Sequence, residues 1–255
     1  MKKPYTFILI LLVIVSFNLF GAGFESNTTL SGINGYVVVP SALPAASGKD
    51  TSITTGYSAI FTLPSGFAHI PYIQFGFANN FEASAAVDIT DDADLLVNAK
   101  WRFLHKGETS VALGLNGQLL DMKGDLYVGG KIYVAATFSS TFITLPSKTT
   151  VMLGYSIDKN SINSDIDFGM GFQAPFFPKV FKEKVDFLID FGNVSYSNSP
   201  SGGDAENRGM LNLGLRLLPL QFMRGTYFAT DLRLIDIFDA KRRAFSVGAA
   251  ITFVP

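Results

Sequence analysis

The chain has 255 residues, of which 48% are hydrophobic and only 16% charged, with 24 Gly, 24 Phe, no cysteine and a formal net charge of −1. So few charges, against roughly 25% in an average soluble domain, argue against a soluble exterior, and without a Lys/Arg cluster there is nothing to hold nucleic acid. The lack of cysteine removes disulfides, thiolate metal sites, a cysteine nucleophile and a lipidated N-terminal cysteine, and only His69 and His105 remain for imidazole chemistry.

Lys2 and Lys3 precede an apolar run from Tyr5 to Phe20, followed by the small residues Gly21, Ala22 and Gly23. This pattern predicts a cleaved secretory signal over residues 1–23, with an uncleaved anchor helix as the alternative. No second apolar run is long enough to span a bilayer as a helix, so the mature chain is not a helical membrane protein. Residues 24–50 form a lead-in rich in Ser, Thr, Gly, Ala and Pro, with one apolar patch at Tyr36–Val39 before Pro40. That patch can pair with a sheet edge, tuck into a lumen or lie exposed in the periplasm.

From Thr51 onward, segments of strand length follow one another. Ile53, Tyr57 and Phe61 share one side of the first, which turns at Leu63–Gly66. The second carries Ile73, Phe75 and Phe77 and turns at Asn79 and Asn80, residues that tolerate positive φ. Phe81, Ala83, Ala85, Val87 and Ile89 then alternate with Glu82, Ser84 and Asp88. Leu95 to Phe103 alternate with Asn98, Lys100 and Arg102, and Val111 to Leu119 with Gly114, Asn116 and Gln118. Further candidates are Leu126–Val134, Thr149–Asp158, Asp165–Gln173 and Val185–Tyr196, with a long surface loop over Ser197–Asn207. The stretch Ala135–Leu145 reads as a long turn or one more strand.

The end of the chain is the clearest. Leu211, Leu213, Leu215 and Leu217 occupy every second position; Phe228, Thr230, Leu232 and Leu234 repeat the design, and Phe245, Val247, Ala249, Ile251 and Phe253 close it. Successive strand side chains point to opposite faces, and about ten residues let a tilted strand cross a bilayer. Residues 51–255 are therefore expected to form an all-β fold, a closed antiparallel transmembrane β-barrel of about twelve strands in up-and-down order. An even count places both termini in the periplasm.

Alternation alone does not tell a membrane barrel from a soluble one. The face with Gly114, Gly129, Gly154, Gly169, Gly171, Gly192, Gly214 and Gly248 would solubilise poorly, whereas the aromatic and aliphatic face suits lipid. A Lys or Arg at mid-depth in lipid costs about 2–4 kcal/mol. The charged and amide side chains are therefore expected to line the lumen: Glu82, Asp88, Asn98, Lys100, Arg102, Asn116, Gln118, Lys131, Asp165, Asp167, Asp186, Asp190, Asn212, Arg216, Asp231 and Arg233. Mixed signs facing one another across the lumen would pair and favour a narrow or obstructed interior.

Gly248, Ile251 and Phe253 at the end of the last strand resemble the β-signal read by the barrel-assembly machinery, although Val254 and Pro255 follow the aromatic and Val247 stands where a polar residue is usual. Ser31–Gly35, then Val39, Pro40, Ser41 and Ala42, with Gly48 before the first strand, resemble the lead-in of YjbH-type exopolysaccharide-associated barrels. The run Asn98–Leu104 is similar to a strand motif of the same group. The resemblance implies an outer-membrane barrel linked to export or assembly of surface polysaccharide, with polysaccharide or envelope proteins as partners.

Other constellations are thinner. His69 has Ser58 and Ser65 nearby in sequence, but nothing fixes a base and an orienting acid, so catalysis is not expected. Asp88, Asp91, Asp92 and Asp94 lack the Gly and distal Glu of a calcium loop and read as a solvated outer loop. Lys179, Lys182, Glu183 and Lys184, and far along Lys241, Arg242 and Arg243, could rest against anionic head groups or simply be charged turns, and Pro175–Phe181 suits an aromatic girdle. Together these features predict a non-enzymatic outer-membrane barrel without cofactor, embedded in outer-membrane lipid, with a narrow pore or an envelope-export role. The alternatives are a non-transporting, adhesin-like barrel, an outer-membrane hydrolase and a secreted soluble barrel.

Overall fold

The strand alternation builds one continuous antiparallel wall. In the computed structural model the described residues are 27–45, 51–62, 66–158, 161–162, 166–205, 209–239 and 241–255. The expected signal segment and Asp165 lie outside them. The strands are β1 (Thr51–Thr62), β2 (Gly66–Phe77), β3 (Phe81–Ile89), β4 (Ala93–Lys106), β5 (Thr109–Leu120), β6 (Tyr127–Phe142), β7 (Leu145–Asp158), β8 (Ser161–Ile162), β9 (Asp167–Pro175), β10 (Val185–Gly192), β11 (Met210–Met223), β12 (Thr226–Ile235) and β13 (Ala244–Phe253). The two-residue β8 pairs only with the end of β7. The other twelve each pair with their neighbours in order, and β1 pairs with β13 to close the ring. Closure leaves no strand edge unpaired, which a sheet in hydrocarbon requires.

The outward face is apolar around the wall: Val97, Trp101, Leu115, Val134, Leu153, Leu232 and Ile251 are all exposed, while Lys100 and Arg216, on the other face, are 1% exposed. This is the orientation expected of a membrane barrel. The connections at residues 78–80, 107–108, 143–144 and 224–225 are tight, and those at 121–126, 159–166, 193–209 and 236–243 are longer. The longer loops share one end of the barrel with the three-residue connections at 63–65 and 90–92, and that end is the outer one; the strands enter and leave the barrel at the other, periplasmic end.

Ala135–Leu145 adds no strand. The alternation simply continues through β6, with Ala135 and Thr137 buried inside and Val134 and Phe138 outside, until Ile143 and Thr144, at φ 46° and 70°, turn the chain into β7. In the β2–β3 turn, the positive-φ positions are Ala78 (49°) and Asn79 (53°), not Asn80. Asn80 instead accepts a bond from the Arg102 guanidinium. The leucine alternation of β11 breaks where Pro219, which has no N–H to give the ladder, shifts the register between Leu217 and Leu220. Leu220 turns inward as a result.

Two inward tyrosines lie over cross-strand glycines. Tyr72 faces Gly56 and Tyr133 faces Gly114 in register, and a Cβ at either glycine would strike the ring. At these positions, and at Gly171 beneath Tyr36, the inward glycines make room for aromatic rings.

The one periplasmic connection of any length, residues 176–184, contains the single-turn helix α1 (Pro178–Phe181). Phe176 stacks on Phe187 of the lipid face with ring centroids 6.4 Å apart, and Phe177 and Val180 are exposed. This places the aromatic foot at the lipid boundary beside Lys179 and Lys182.

Candidate functional site in the barrel lumen

The lumen is not empty. Residues 27–45 fill it as a compact knot, with bridges Thr28–Asn34 and Gly35–Pro40 and internal bonds such as Leu30 N–H to Val37 O (3.0 Å). Of the three placements open to the lead-in, this is the tucked one. Leu30, Tyr36, Val37, Val39 and Ala42 are fully buried with Ile70, Tyr72, Leu96, Met152 and Leu188 of the wall. The lumen therefore has an apolar core that the wall alternation did not foretell.

The inward charges hold this segment by its main chain. Glu82 and Lys100 are direct cross-strand partners and form an ion pair at 3.1 Å. Between them they grip one residue: Asn34 N–H donates to Glu82 Oε1 (2.5 Å), and Lys100 Nζ donates to Asn34 O (3.0 Å). Arg216 and Asp231, also cross-strand partners, pair at 2.5 Å, and Arg233 joins the same carboxylate at 2.7 Å. Arg216 then donates to the carbonyls of Gly35 (2.8 Å), Thr28 (2.8 Å) and Tyr36 (3.2 Å), and Arg233 to Thr28 O (2.9 Å). On β10, the strand next to β11, Asp190 Oδ2 accepts three successive amides, Val37, Val38 and Val39, at 2.8–3.0 Å, the anion-in-nest geometry. Its other oxygen accepts from Asn212 Nδ2 (2.6 Å).

The expectation that opposite charges would meet across the lumen is therefore corrected. Glu82–Lys100 and Arg216–Asp231 pair between adjacent strands, because direct cross-strand partners lie close enough to touch; Arg233–Asp231 pairs along one strand, and the space between the walls is bridged by the lead-in's backbone. Its orphan N–H and C=O groups need partners once buried.

The remaining inward residues divide by depth. Asn98 donates to Ser31 O and Asn116 to Asn98, while Gln118 accepts from Asn198 N–H (2.8 Å). Lys131 donates to Ser195 O (3.0 Å), and Asp167 accepts from Ser156. Toward the periplasm, Asp186 accepts from Gln173, and Arg102 caps the β2–β3 turn through Asn79 O and Asn80.

Ser197–Asn207 is not a free surface loop. Asn207 is outside the described residues, but Tyr196, Ser197 and Ala205 are buried, because the loop folds into the outer mouth. Asp88 anchors it there, accepting from Tyr196 OH (2.6 Å), Ser201 Oγ (2.7 Å) and Ser201 N–H (3.1 Å). Burial, and then the neighbouring Asp88 carboxylate, push the Tyr196 phenol well above its ordinary range. Asp88→Ala is expected to release this loop, since both Ser201 and Tyr196 would lose their buried acceptor. Limited proteolysis of intact cells should then cut within residues 193–205, where the parent protein resists.

Asp92 and Asp94 accept the amides of Lys123 (3.0 Å) and Asp121 (2.8 Å) in the adjoining loop. Among the described residues no three acidic or His side chains converge as metal ligands. His69 faces outward toward lipid with its Nδ1 2.5 Å from Tyr57 OH, whereas Ser58 faces inward beneath Arg233, so the wall separates them. Ser65 lies outside the described residues. His105 bonds Ser110 at the periplasmic rim.

Below the lead-in, at the periplasmic end, lies a cavity of about 1060 Å³. Ser139, Ser140, Thr141 and Ser147 line one side, and Lys148, Lys182, Asp186 and Arg102 contribute charge. The sequence left the placement of the lead-in open and did not single out Tyr36, Tyr72 or Thr150 as its contacts. Gly32, at φ 78°, and Gly35, whose added Cβ would meet the Val39 carbonyl and Pro40, were the available signal.

No protein-family model matches the chain, and no curated protein matches it. Among solved structures it is similar to the KdgM porin (10% identity, 78% of this chain and 98% of that one, TM-score 0.52). It is similar to the NanC porin (11% identity, 78% and 98%, TM-score 0.52) and to an outer-membrane channel from Pseudomonas putida F1 (10% identity, 82% and 96%, TM-score 0.50). At these identities the likeness is one of fold, that of an outer-membrane barrel, and it agrees with the lipid-facing exterior.

Proposed function

We propose that the protein is a narrow outer-membrane channel for small polar solutes whose passage is closed, in this conformation, by residues 27–45. The observation that carries this reading is that the lumen is filled by a separate polypeptide segment. The wall side chains do not meet across it, as they do in barrels of about eight strands. A twelve-strand wall with ionised groups of both signs facing inward encloses a path, and the lead-in obstructs it. For the solute we propose a hydroxylated one of saccharide type, which suits the serine-rich periplasmic cavity and the polysaccharide role implied by the YjbH-type resemblance. One solved structure of KdgM is a complex with oligogalacturonate. Insertion through the β-signal at Gly248, Ile251 and Phe253, read by the barrel-assembly machinery, is part of the same proposal.

The full-length protein in planar bilayers is expected to show rare, small conductance steps. Oxidising a Val39→Cys/Gly169→Cys pair should abolish them, because Val39 Cγ2 would lie 2.9 Å from a Cβ at Gly169. Burial of nearly all of the lead-in, and of Val194, Tyr196, Ser197 and Ala205 in the outer loop, favours a second reading, a closed barrel acting through its surface. Absence of steps at every voltage, in both the oxidised and the reduced protein, would decide for it.

A further inference from the structure

We propose that the lumen is a polypeptide-binding socket that recognises main chain, and that residues 27–45 are its resident ligand. Among the described residues, Glu82, Lys100, Asp190, Arg216 and Arg233 hydrogen-bond the segment through its N–H and C=O groups: Asn34 at both its amide and its carbonyl, the Val37–Val39 amides, and the carbonyls of Thr28, Gly35 and Tyr36. Donors on the wall meet carbonyls and acceptors meet amides, as a receptor meets a looped peptide. Side-chain identity enters through the apolar patch, where Leu30, Val37 and Val39 pack against Leu96, Met152 and Leu188, and through Tyr36 OH on Thr150 (2.8 Å).

The ligand also carries its own shape. Thr29 N–H to Ile33 O, Gly35 N–H to Asn27 O, Ser41 N–H to Asn34 O and the Asn34 amide to Leu43 O and Pro44 O are all internal to the segment. A preordered loop binds at lower entropic cost than a free one. In sequence the segment joins β1 only through residues 46–50, and its Ala45 end lies by Gly76 at the periplasmic end, above the cavity. The wall ladder, by contrast, is closed on itself, and none of its strand pairings involves the segment. The ligand class is therefore a looped polypeptide with an apolar tip, supplied in cis by this chain. A periplasmic segment of the same description would compete for the socket.

The test uses the whole chain. Residues 46–50 are replaced by a site for a specific protease, the protein is folded in detergent, and the linker is then cut. The N-terminal fragment is expected to co-elute with the heat-modifiable barrel, to exchange with a labelled synthetic peptide of residues 27–45, and to resist a scrambled peptide. Asp190→Asn keeps the shape and weakens three bonds to a charged acceptor, so loss of the fragment should quicken by about 10-fold. Gel mobility of the unboiled protein verifies that the variant barrel is folded. Immediate loss of the fragment from the folded parent barrel would overturn the proposal, as would equal retention of the scrambled peptide or an unchanged loss rate in Asp190→Asn. None of these readouts depends on conductance, so a closed barrel that holds its fragment refutes the channel and leaves the socket standing.

Discussion

Arg216→Met should lower the unfolding free energy by about 3–5 kcal/mol, the usual result of removing one partner from a buried charge cluster. The side chain is 1% exposed and gives four bonds, one to Asp231 and three to lead-in carbonyls. Methionine has similar length and no donor, so Gly35 O and Tyr36 O would be left buried without their donor from the wall. Asp231 would keep Arg233 as a counter-ion, which limits the loss. Urea titration read by the mobility of unboiled protein measures the effect. A midpoint unchanged from the parent would mean that the lead-in is held by its apolar contacts alone. The buried pairs are not themselves an argument for stability, since their desolvation offsets their attraction; the cost arises when only one member is deleted.

The second large effect lies on the other face. Leu215→Arg places a guanidinium on the outward side near the middle of β11, where lipid raises the cost by about 2–4 kcal/mol. The neighbouring Arg216, one residue on, sits inside at no such penalty because the pleat turns it to the opposite face. Failure to fold into bilayers, with folding retained for a Leu215→Ala control, is the expected result. Spin labels give the same answer without a charge. Leu213 and Val247 should be quenched by lipid-soluble relaxants, and Asn212 and Ser246, both fully buried, should not. Normal bilayer insertion of Leu215→Arg together with lipid-accessible Asn212 would reverse the orientation of the whole wall.

How much of this was legible in the sequence depends on the range of the interaction. The closing run from Leu211 to Phe253 announced its strands because a period of two is local, set by the pleat and by the solvent on each side. The same rule put Lys100, Arg216 and Arg233 on the inward face before any partner was known. It left Ala135–Leu145 open between a long turn and one more strand, where β6 simply runs on to Phe142, and it was silent at Pro219, where a missing N–H resets the register. Of the two residues it named for the β2–β3 turn, Asn79 takes positive φ and Asn80 does not; Asn80 bonds Arg102, a residue 22 positions away.

Residues 27–45 were the main thing the sequence left open. Their composition suited a leader, an edge strand or a plug equally, because nothing in Ser31–Gly35 or Tyr36–Pro40 states what will surround it. By itself, the sequence determined a transmembrane wall, its two faces and the sign of each inward charge, all consequences of alternation against lipid. Only the tertiary structure decided that those charges pair along the wall and spend their remaining bonds on a backbone threaded between them. A buried amide takes whichever partner closure of the ring brings within reach, and that distance is written in no local stretch of the chain.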